Sequence, residues 1–299
     1  MAIVTDFRCG VVIPVGPNRE ANLRDTLESL EAQTYKPRQI VVVYDGCEPT
    51  DTRADIVAVV LPTKHIPGRE QPRNIGVRAL ADDIGLTHVW FVDSDITFNP
   101  NALQAFADAA ALSDEPRILV GPYDWLGPSG EIERPDDRWQ SFNEHPPSEI
   151  NYNPVGAGTA CFSGNLVWPI KEFQEIGGFW SELHHGRCED GELGIRATSA
   201  GIGVSFVKDA RGEHHWHPRD MDWTLAANAR DVPLINRRHP FMPDSESLDP
   251  SMGAKLLMTA KDGIRFDFRC PGCGKRMNSL LYWEHCGGRG WKCPDEDLA

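Results

Sequence analysis

His88-Val-Trp-Phe-Val-Asp-Ser-Asp-Ile96 is an apolar run that ends in two carboxylates one residue apart. Large and β-branched side chains without alternation predict a strand buried on both faces, as in a parallel sheet. Asp93 and Asp95 then sit at its C-terminal end, the edge where open α/β sheets bind ligands. Two carboxylates crowded into a dry cleft repel each other unless a cation lies between them, and a hard divalent metal shared with phosphates is the usual solution. The pair therefore predicts a metal–diphosphate site. The competing reading is turn chemistry at a strand end.

Outward from this strand, the N-terminal half alternates strands with helices. Val11–Val15 is a strand, and a helix follows from about Asn22 to Gln33 with Leu23, Leu27 and Leu30 on one face. Gln39–Tyr44 and Ile56–Leu61 are further strands, the first closed by the turn signal Asp45-Gly46. Gln71–Leu80 reads as a helix with Ile75, Ala79 and Leu80 inward, and Pro100 opens another with Leu103, Phe106 and Ala110 inward. This alternation predicts a right-handed parallel α/β sheet. From Gly121 to Pro154 the periodicity fades, as in a functional loop or lid. It returns near Gly164-Asn165, and a helix begins at Cys188-Glu-Asp-Gly-Glu192, its acids favoured by the helix dipole. Gly203–Val207 is a short strand, followed by His214-His-Trp-His217.

The 299 residues allow one large domain with a small appendage. A formal charge of -14 argues against general nucleic-acid binding, which draws its affinity from neutralised phosphates. The first residues carry no cationic stretch followed by an apolar core, and no window reaches the length of a membrane span, so a soluble, cytoplasmic protein without membrane attachment is expected. Cys9, Cys47, Cys161 and Cys188 are scattered and expected to be reduced and semi-buried.

Val-Ile-Pro-Val-Gly16, Glu-Ser-Leu-Glu-Ala-Gln-Thr34, Val-Val-Val-Tyr-Asp-Gly46, Pro-Arg-Asn-Ile-Gly76, Val-Asp-Ser-Asp95, Gly-Gly-Phe179 and Glu-Asp-Gly-Glu-Leu-Gly-Ile-Arg196 occur in this order. Over residues 9 to 220 the chain resembles family 2 glycosyltransferases of the GT-A fold, a Rossmann-like, mostly parallel sheet flanked by helices. The resemblance implies transfer of a sugar from a nucleotide diphosphate, UDP favoured, to an acceptor hydroxyl on a glycan, a protein or a modified nucleobase, with inversion. It implies that Pro14, Val15, Gly16, Glu20, Asp45 and Arg73 hold the nucleotide, that Asp93 meets the ribose, and that Asp95 is the principal metal ligand. His214, then His217, would complete a site for Mn²⁺ in preference to Mg²⁺, since imidazole suits the softer cation. Asp190 is the candidate base for the acceptor proton, with Glu189 orienting the acceptor or its loop. Two departures loosen the nucleoside assignment: Tyr44 replaces the first of a usual Asp-Asp pair, and Val-Gly-Pro-Asn-Arg19 replaces the more common Thr/Ala-Tyr-Asn. Trp125, Trp139, Trp180 and Trp216 are open to two readings, stacking surface or core.

Cys270-Pro-Gly-Cys273 has the form of a zinc knuckle, and Cys286 and Cys293 can complete a tetrahedral site, with His285 as a substitute for Cys286. The expected division is a GT-A domain over 1–262 and a zinc-ribbon-like segment over 263–299, stapled by structural Zn²⁺ because so short a segment lacks a core. Two other functions compete. A nucleotidyltransferase wants a Gly-rich basic loop after the first strand, and Gly16-Pro-Asn-Arg19 supplies one Gly and one Arg. A non-catalytic binding module recruited through the cysteine-rich tail would have been favoured by loss of Asp95 or Asp190, and both are present.

Overall fold

The computed structural model describes residues 6–136, 161–238, 268–269 and 276–277, apart from positions 52, 54, 65, 69, 81–84, 185–187 and 219–220. β1 (Cys9–Val15) leads through α1 (Glu20–Glu31) to β2 (Gln39–Asp45) and β3 (Ile56–Leu61), and α2 (Pro72–Ala79) leads to β4 (His88–Val92). Next come β5 (Ile96–Phe98), α3 (Ala102–Ala110), β6 (Arg117–Val120), β7 (Tyr123–Leu126), β8 (Ile132–Arg134) and β9 (Asn165–Pro169). α4 (Ile170–Glu175), α5 (Glu189–Ser199), β10 (Gly203–Phe206), β11 (Gly212–His214) and α6 (Met221–Arg238) follow.

Seven strands form one sheet in the order β10-β6-β9-β4-β1-β2-β3. β4 lies at its middle, which explains its unbroken apolar run. On one face Trp90 meets Phe98 and Phe106 edge-on at 4.6 and 5.7 Å between ring centroids. On the other, Phe91 packs on Phe173 and Phe179 at 5.2 and 5.3 Å. Leu23, Leu27 and Leu30 of α1 are buried as their spacing predicts. The sheet is mostly parallel, as expected, and the strand that departs is β9, which runs antiparallel between β4 and β6. A strand buried on both faces carries no record of its direction in its side chains.

Two expectations change. The inner face of α2 is Pro72, Arg73, Gly76 and Val77; Leu80 just beyond it is buried as expected, whereas Ile75 and Ala79 are only half-buried. Gly76 explains the rotation, because a Cβ there would stand 2.3 Å from a Val12 methyl and 3.2 Å from a Val43 methyl. The helix lies directly on the sheet at this point. Within the stretch expected to be irregular, β7 and β8 join β5 and β11 in a four-stranded sheet of order β5-β11-β7-β8. The turn at Gly127–Gly130 leaves strands too short for a period to emerge. Residues 137–160, Trp139 among them, lie outside the described residues.

Asn165 fastens the two sheets. Its Oδ1 accepts from Trp90 Nε1 at 2.9 Å, and its Nδ2 donates to the carbonyls of Pro122 and Ala210 at 3.1 and 2.7 Å. α6 is held by Asp231, which is fully buried. Asp231 accepts from the His184 backbone N–H at 2.7 Å, pairs with the His184 ring at 3.0 Å, and accepts from Arg230 at 2.8 Å. Cys9, Cys47, Cys161 and Cys188 form no disulfide among the described residues and are buried, apart from the half-buried Cys47. Cys270, Cys273, Cys286 and Cys293 lie outside the described residues. The two-residue strands β12 (Phe268–Arg269) and β13 (Arg276–Met277), which pair antiparallel, flank the first two of them in sequence. Among the described residues no helix is long and apolar enough to cross a membrane.

Replacing Asn165 by Ala strands a buried indole N–H and two buried carbonyls. Each unsatisfied group costs about 1–3 kcal/mol, so urea unfolding of Asn165→Ala is expected to show a loss of about 3 kcal/mol or more, with a cooperative transition retained.

Candidate active site

The parallel strands β1, β2 and β4 end on one edge of the sheet, with Val15 paired to Tyr44 in register and β4 on the other side of β1. This edge brings together the ends of the sequence-predicted segments: Pro14–Gly16 at the end of β1, Asp45 at the end of β2, and Asp93 and Asp95 after β4. Val15 and Asp45 are buried. Glu20 opens α1, and its side chain lies outside the described residues.

Arg73 is 3% exposed and reaches from α2 to two acids. Its Nη2 donates to Asp93 Oδ1, and its Nη1 lies 3.6 Å from Glu189 Oε1. The guanidinium also stands over the Phe179 ring, 5.6 Å from its centroid. Asp93 is one-third exposed, whereas Glu189 is buried against Arg73. Gly164 permits this arrangement, since a Cβ there would stand 2.9 Å from Asp93 Oδ2.

The second acid of the pair leads into β5. Antiparallel pairing of β5 with β11 sets His214 opposite Ile96, and the His215 backbone N–H donates to the Asp95 carbonyl at 2.8 Å. His214 Nε2 lies 3.6 Å from Asp95 Oδ1 and His217 Nε2 lies 3.3 Å from Asp95 Oδ2. One ligand atom from each of these three residues falls within 4.8 Å of the other two. One carboxylate and two imidazoles form a donor set suited to Mn²⁺ and other first-row cations. Burial holds His217 below the ordinary imidazole value, which favours the neutral ring that a metal requires. The His214 ring stacks on Tyr123 at 5.9 Å. His215 turns away, its Nε2 lying 3.1 Å from Thr97 Oγ1.

Asp190 follows Glu189 in the first turn of α5. Its Oδ1 accepts from the Gly191 N–H at 2.7 Å and its Oδ2 from the Ser163 N–H at 3.3 Å. Burial pushes the Asp190 carboxyl up to about 7, and the neighbouring Glu189 carboxylate adds to the shift. A carboxylate poised at neutral pH can accept a proton from a hydroxyl with useful driving force.

Two features were not assigned from the sequence. Arg19, at the N-terminus of α1, has its Nη2 2.8 Å from His217 Nδ1 and its Nη1 3.7 Å from Asp95 Oδ2. Asn18, at φ +65°, is the only described non-glycine residue at positive φ and turns the chain there; the tetrapeptide Gly16–Arg19 carries the turn signal, but nothing local shows where the guanidinium goes. Beside the histidines lies a cleft of about 370 Å³ lined by Trp125, Glu133, Arg134, His214, Trp216 and His217. The Arg134 guanidinium covers the Trp125 ring at 3.7 Å, and Trp216 is half-exposed. Trp180, by contrast, packs under Arg238 at 4.4 Å from its ring centroid.

A mixed α/β fold with a mostly parallel sheet and an acidic, histidine-bearing edge is consistent with the GT-A class. Residues 11–168 match the profile of the family described as glycosyl transferase family 2. The chain belongs to that family. It is 24% identical over 268 residues to validoxylamine A glucosyltransferase of Streptomyces hygroscopicus subsp. limoneus, an alignment covering 78% of this chain and 57% of the relative. It thus spans little more than half the length of that protein. It is also 24% identical over 237 residues to glucosyl-dolichyl phosphate glucuronosyltransferase of Haloferax volcanii, covering 72% of each. The crystal structure of S. aureus TarS in complex with UDP-GlcNAc matches with a TM-score of 0.59 at 20% identity, over 84% of this chain and 70% of that one. TarS with UDP matches at 0.53 and 20% identity, again over 84% and 70%.

The raised Asp190 value carries a sign for stability. In the unfolded chain an Asp ionises near 4, whereas the folded protein keeps the proton to about 7. The folded state binds more protons in that window, so this residue lowers stability as pH rises from about 4 to about 7. Asp190→Asn is therefore expected to raise Tm by a few degrees at pH 8 and to have little effect near pH 4, read by thermal scans across pH.

Proposed function

We propose that this chain is a metal-dependent glycosyltransferase that moves a sugar from a UDP-sugar to an acceptor hydroxyl, with inversion. The observation that carries the reading is the convergence, at one sheet edge, of Asp95 with His214 and His217, Arg73 with Asp93, and Asp190. Family membership and the UDP and UDP-GlcNAc complexes of TarS support a nucleotide-sugar donor.

The chain's own residues divide the work. Pro14, Val15, Gly16, Glu20 and Asp45 cradle the nucleoside at the ends of β1 and β2, and Asp93 meets the ribose while Arg73 fixes its carboxylate. Asp95, His214 and His217 would hold the divalent cation, Mn²⁺ by donor type, which supplies positive charge for the diphosphate oxygens as the anomeric bond breaks. Asp190 takes the acceptor's proton as the new bond forms on the opposite face of the sugar. Glu189 is a positioning residue: it holds Arg73 at the start of the helix that carries the base. The reading divides the chain into a catalytic domain over 1–262 and a segment over 263–299 in which Cys270, Cys273, Cys286 and Cys293 bind structural Zn²⁺.

The test is thermal stabilisation by UDP, GDP, CDP and dTDP with Mn²⁺, Mg²⁺ or EDTA, because a ligand that binds only the native state raises Tm by mass action. A shift with UDP that depends on Mn²⁺ is expected, and Asp95→Asn is expected to abolish it. Equal shifts in wild type and Asp95→Asn would remove Asp95 from the site. Asp190→Asn is expected to keep the UDP shift while transfer falls by at least about 100-fold, and wild-type transfer should rise with pH through about 7 as the carboxylate ionises. Comparable transfer in the variant would assign the base elsewhere.

A further inference from the structure

His217 Nδ1 has two neighbours that make opposite demands. Arg19 Nη2 lies 2.8 Å away and can only donate, whereas the Pro218 carbonyl lies 2.9 Å away and can only accept. With Arg19 donating, Nδ1 uses its lone pair and the neutral ring carries its proton on Nε2, which faces Asp95 Oδ2 at 3.3 Å. Nε2 then donates to the carboxylate, and its lone pair is not offered to a cation. With Nδ1–H donating to Pro218, Nε2 is bare and turned toward Asp95. A carbonyl on the far nitrogen is the usual companion of a metal-bound imidazole. Arg19 also sets a guanidinium 3.7 Å from Asp95 Oδ2, where it opposes a second positive charge.

We infer that Arg19 is a positioning residue that couples the metal to the donor: it holds Asp95 and His217 against a cation until a nucleoside diphosphate draws its guanidinium away. This rests on the metal site proposed above. A diphosphate is the stronger partner, since a guanidinium fork meets anionic phosphate oxygens through paired bonds and meets an imidazole nitrogen, a neutral acceptor, through one. Arg19 stands at the N-terminus of α1, directly after the loop assigned to the nucleotide, and its side chain is about one-quarter exposed. It therefore has room to turn. Once it does, His217 exchanges partners to Pro218, and Asp95 loses its competing charge. By linkage, UDP then raises the affinity for Mn²⁺ by the same factor as Mn²⁺ raises the affinity for UDP.

The experiment measures Mn²⁺ binding by electron paramagnetic resonance, with and without UDP, in the full chain carrying Arg19, Arg19→Met or Asp95→Asn, together with UDP affinity in EDTA by calorimetry. Arg19→Met keeps the aliphatic stem, and an unchanged Tm verifies its fold. Without nucleotide it is expected to bind Mn²⁺ at least about 5-fold more tightly than wild type, with the enhancement by UDP reduced by a similar factor. Its affinity for UDP in EDTA should fall. Mn²⁺ binding no tighter than wild type without nucleotide overturns the role of Arg19. If Asp95→Asn binds Mn²⁺ as wild type does in the presence of UDP, the metal site itself is wrong and the coupling falls with it. Loss of binding in Asp95→Asn beside an unchanged Arg19→Met overturns the coupling alone.

Discussion

Arg73 is the cation around which the site is arranged. A guanidinium withdrawn from water to 3% exposure is costly unless its charge is answered on the spot. Asp93 and Glu189 answer it from two different elements, the end of β4 and the start of α5. The shared guanidinium therefore ties the strand that leads into the Asp-x-Asp pair to the helix that carries Asp190. The same buried surroundings raise the Asp190 carboxyl. One ion-pair triad thus serves as a spacer, and within it Glu189 raises the Asp190 carboxyl while Arg73 opposes that shift.

Parts of this arrangement are legible in the sequence because they obey simple patterns. An apolar run ended by two acids identifies β4 and its edge, and leucines spaced along α1 identify its inner face. What the sequence conceals follows from contacts between distant segments. Hydrophobic periodicity turned α2 toward Ile75, yet the helix buries Arg73, because the site takes a charge where packing alone would take an aliphatic side chain. The direction of β9 is invisible for the same reason that its burial is obvious. Arg19 stands nearly two hundred residues from His217, and only the fold shows that the two meet.

The histidine cluster shows how strand geometry selects among equivalent residues. His214 closes β11 with its ring toward Asp95, and His215, next in the chain, turns to Thr97. The chain has left the strand by His217, so its ring returns to the carboxylate without the constraint of alternation. The sequence motif offers three imidazoles; the register of β11 against β5 decides which of them share a carboxylate. Tyr123, from the neighbouring strand β7, steadies the first of these rings from behind.

The four-stranded sheet also imposes an order on the making of the molecule. Its strands come from residues near 96, 125, 133 and 213, and β11 is sandwiched between β5 and β7. During synthesis β1, β2, β3 and β4 can associate early, since they are near neighbours in the chain. The slot between β5 and β7 has to be kept for a strand that leaves the ribosome more than eighty residues later. Contacts of such long sequence separation form slowly. The small sheet therefore closes only after the segment that carries the histidines has been made.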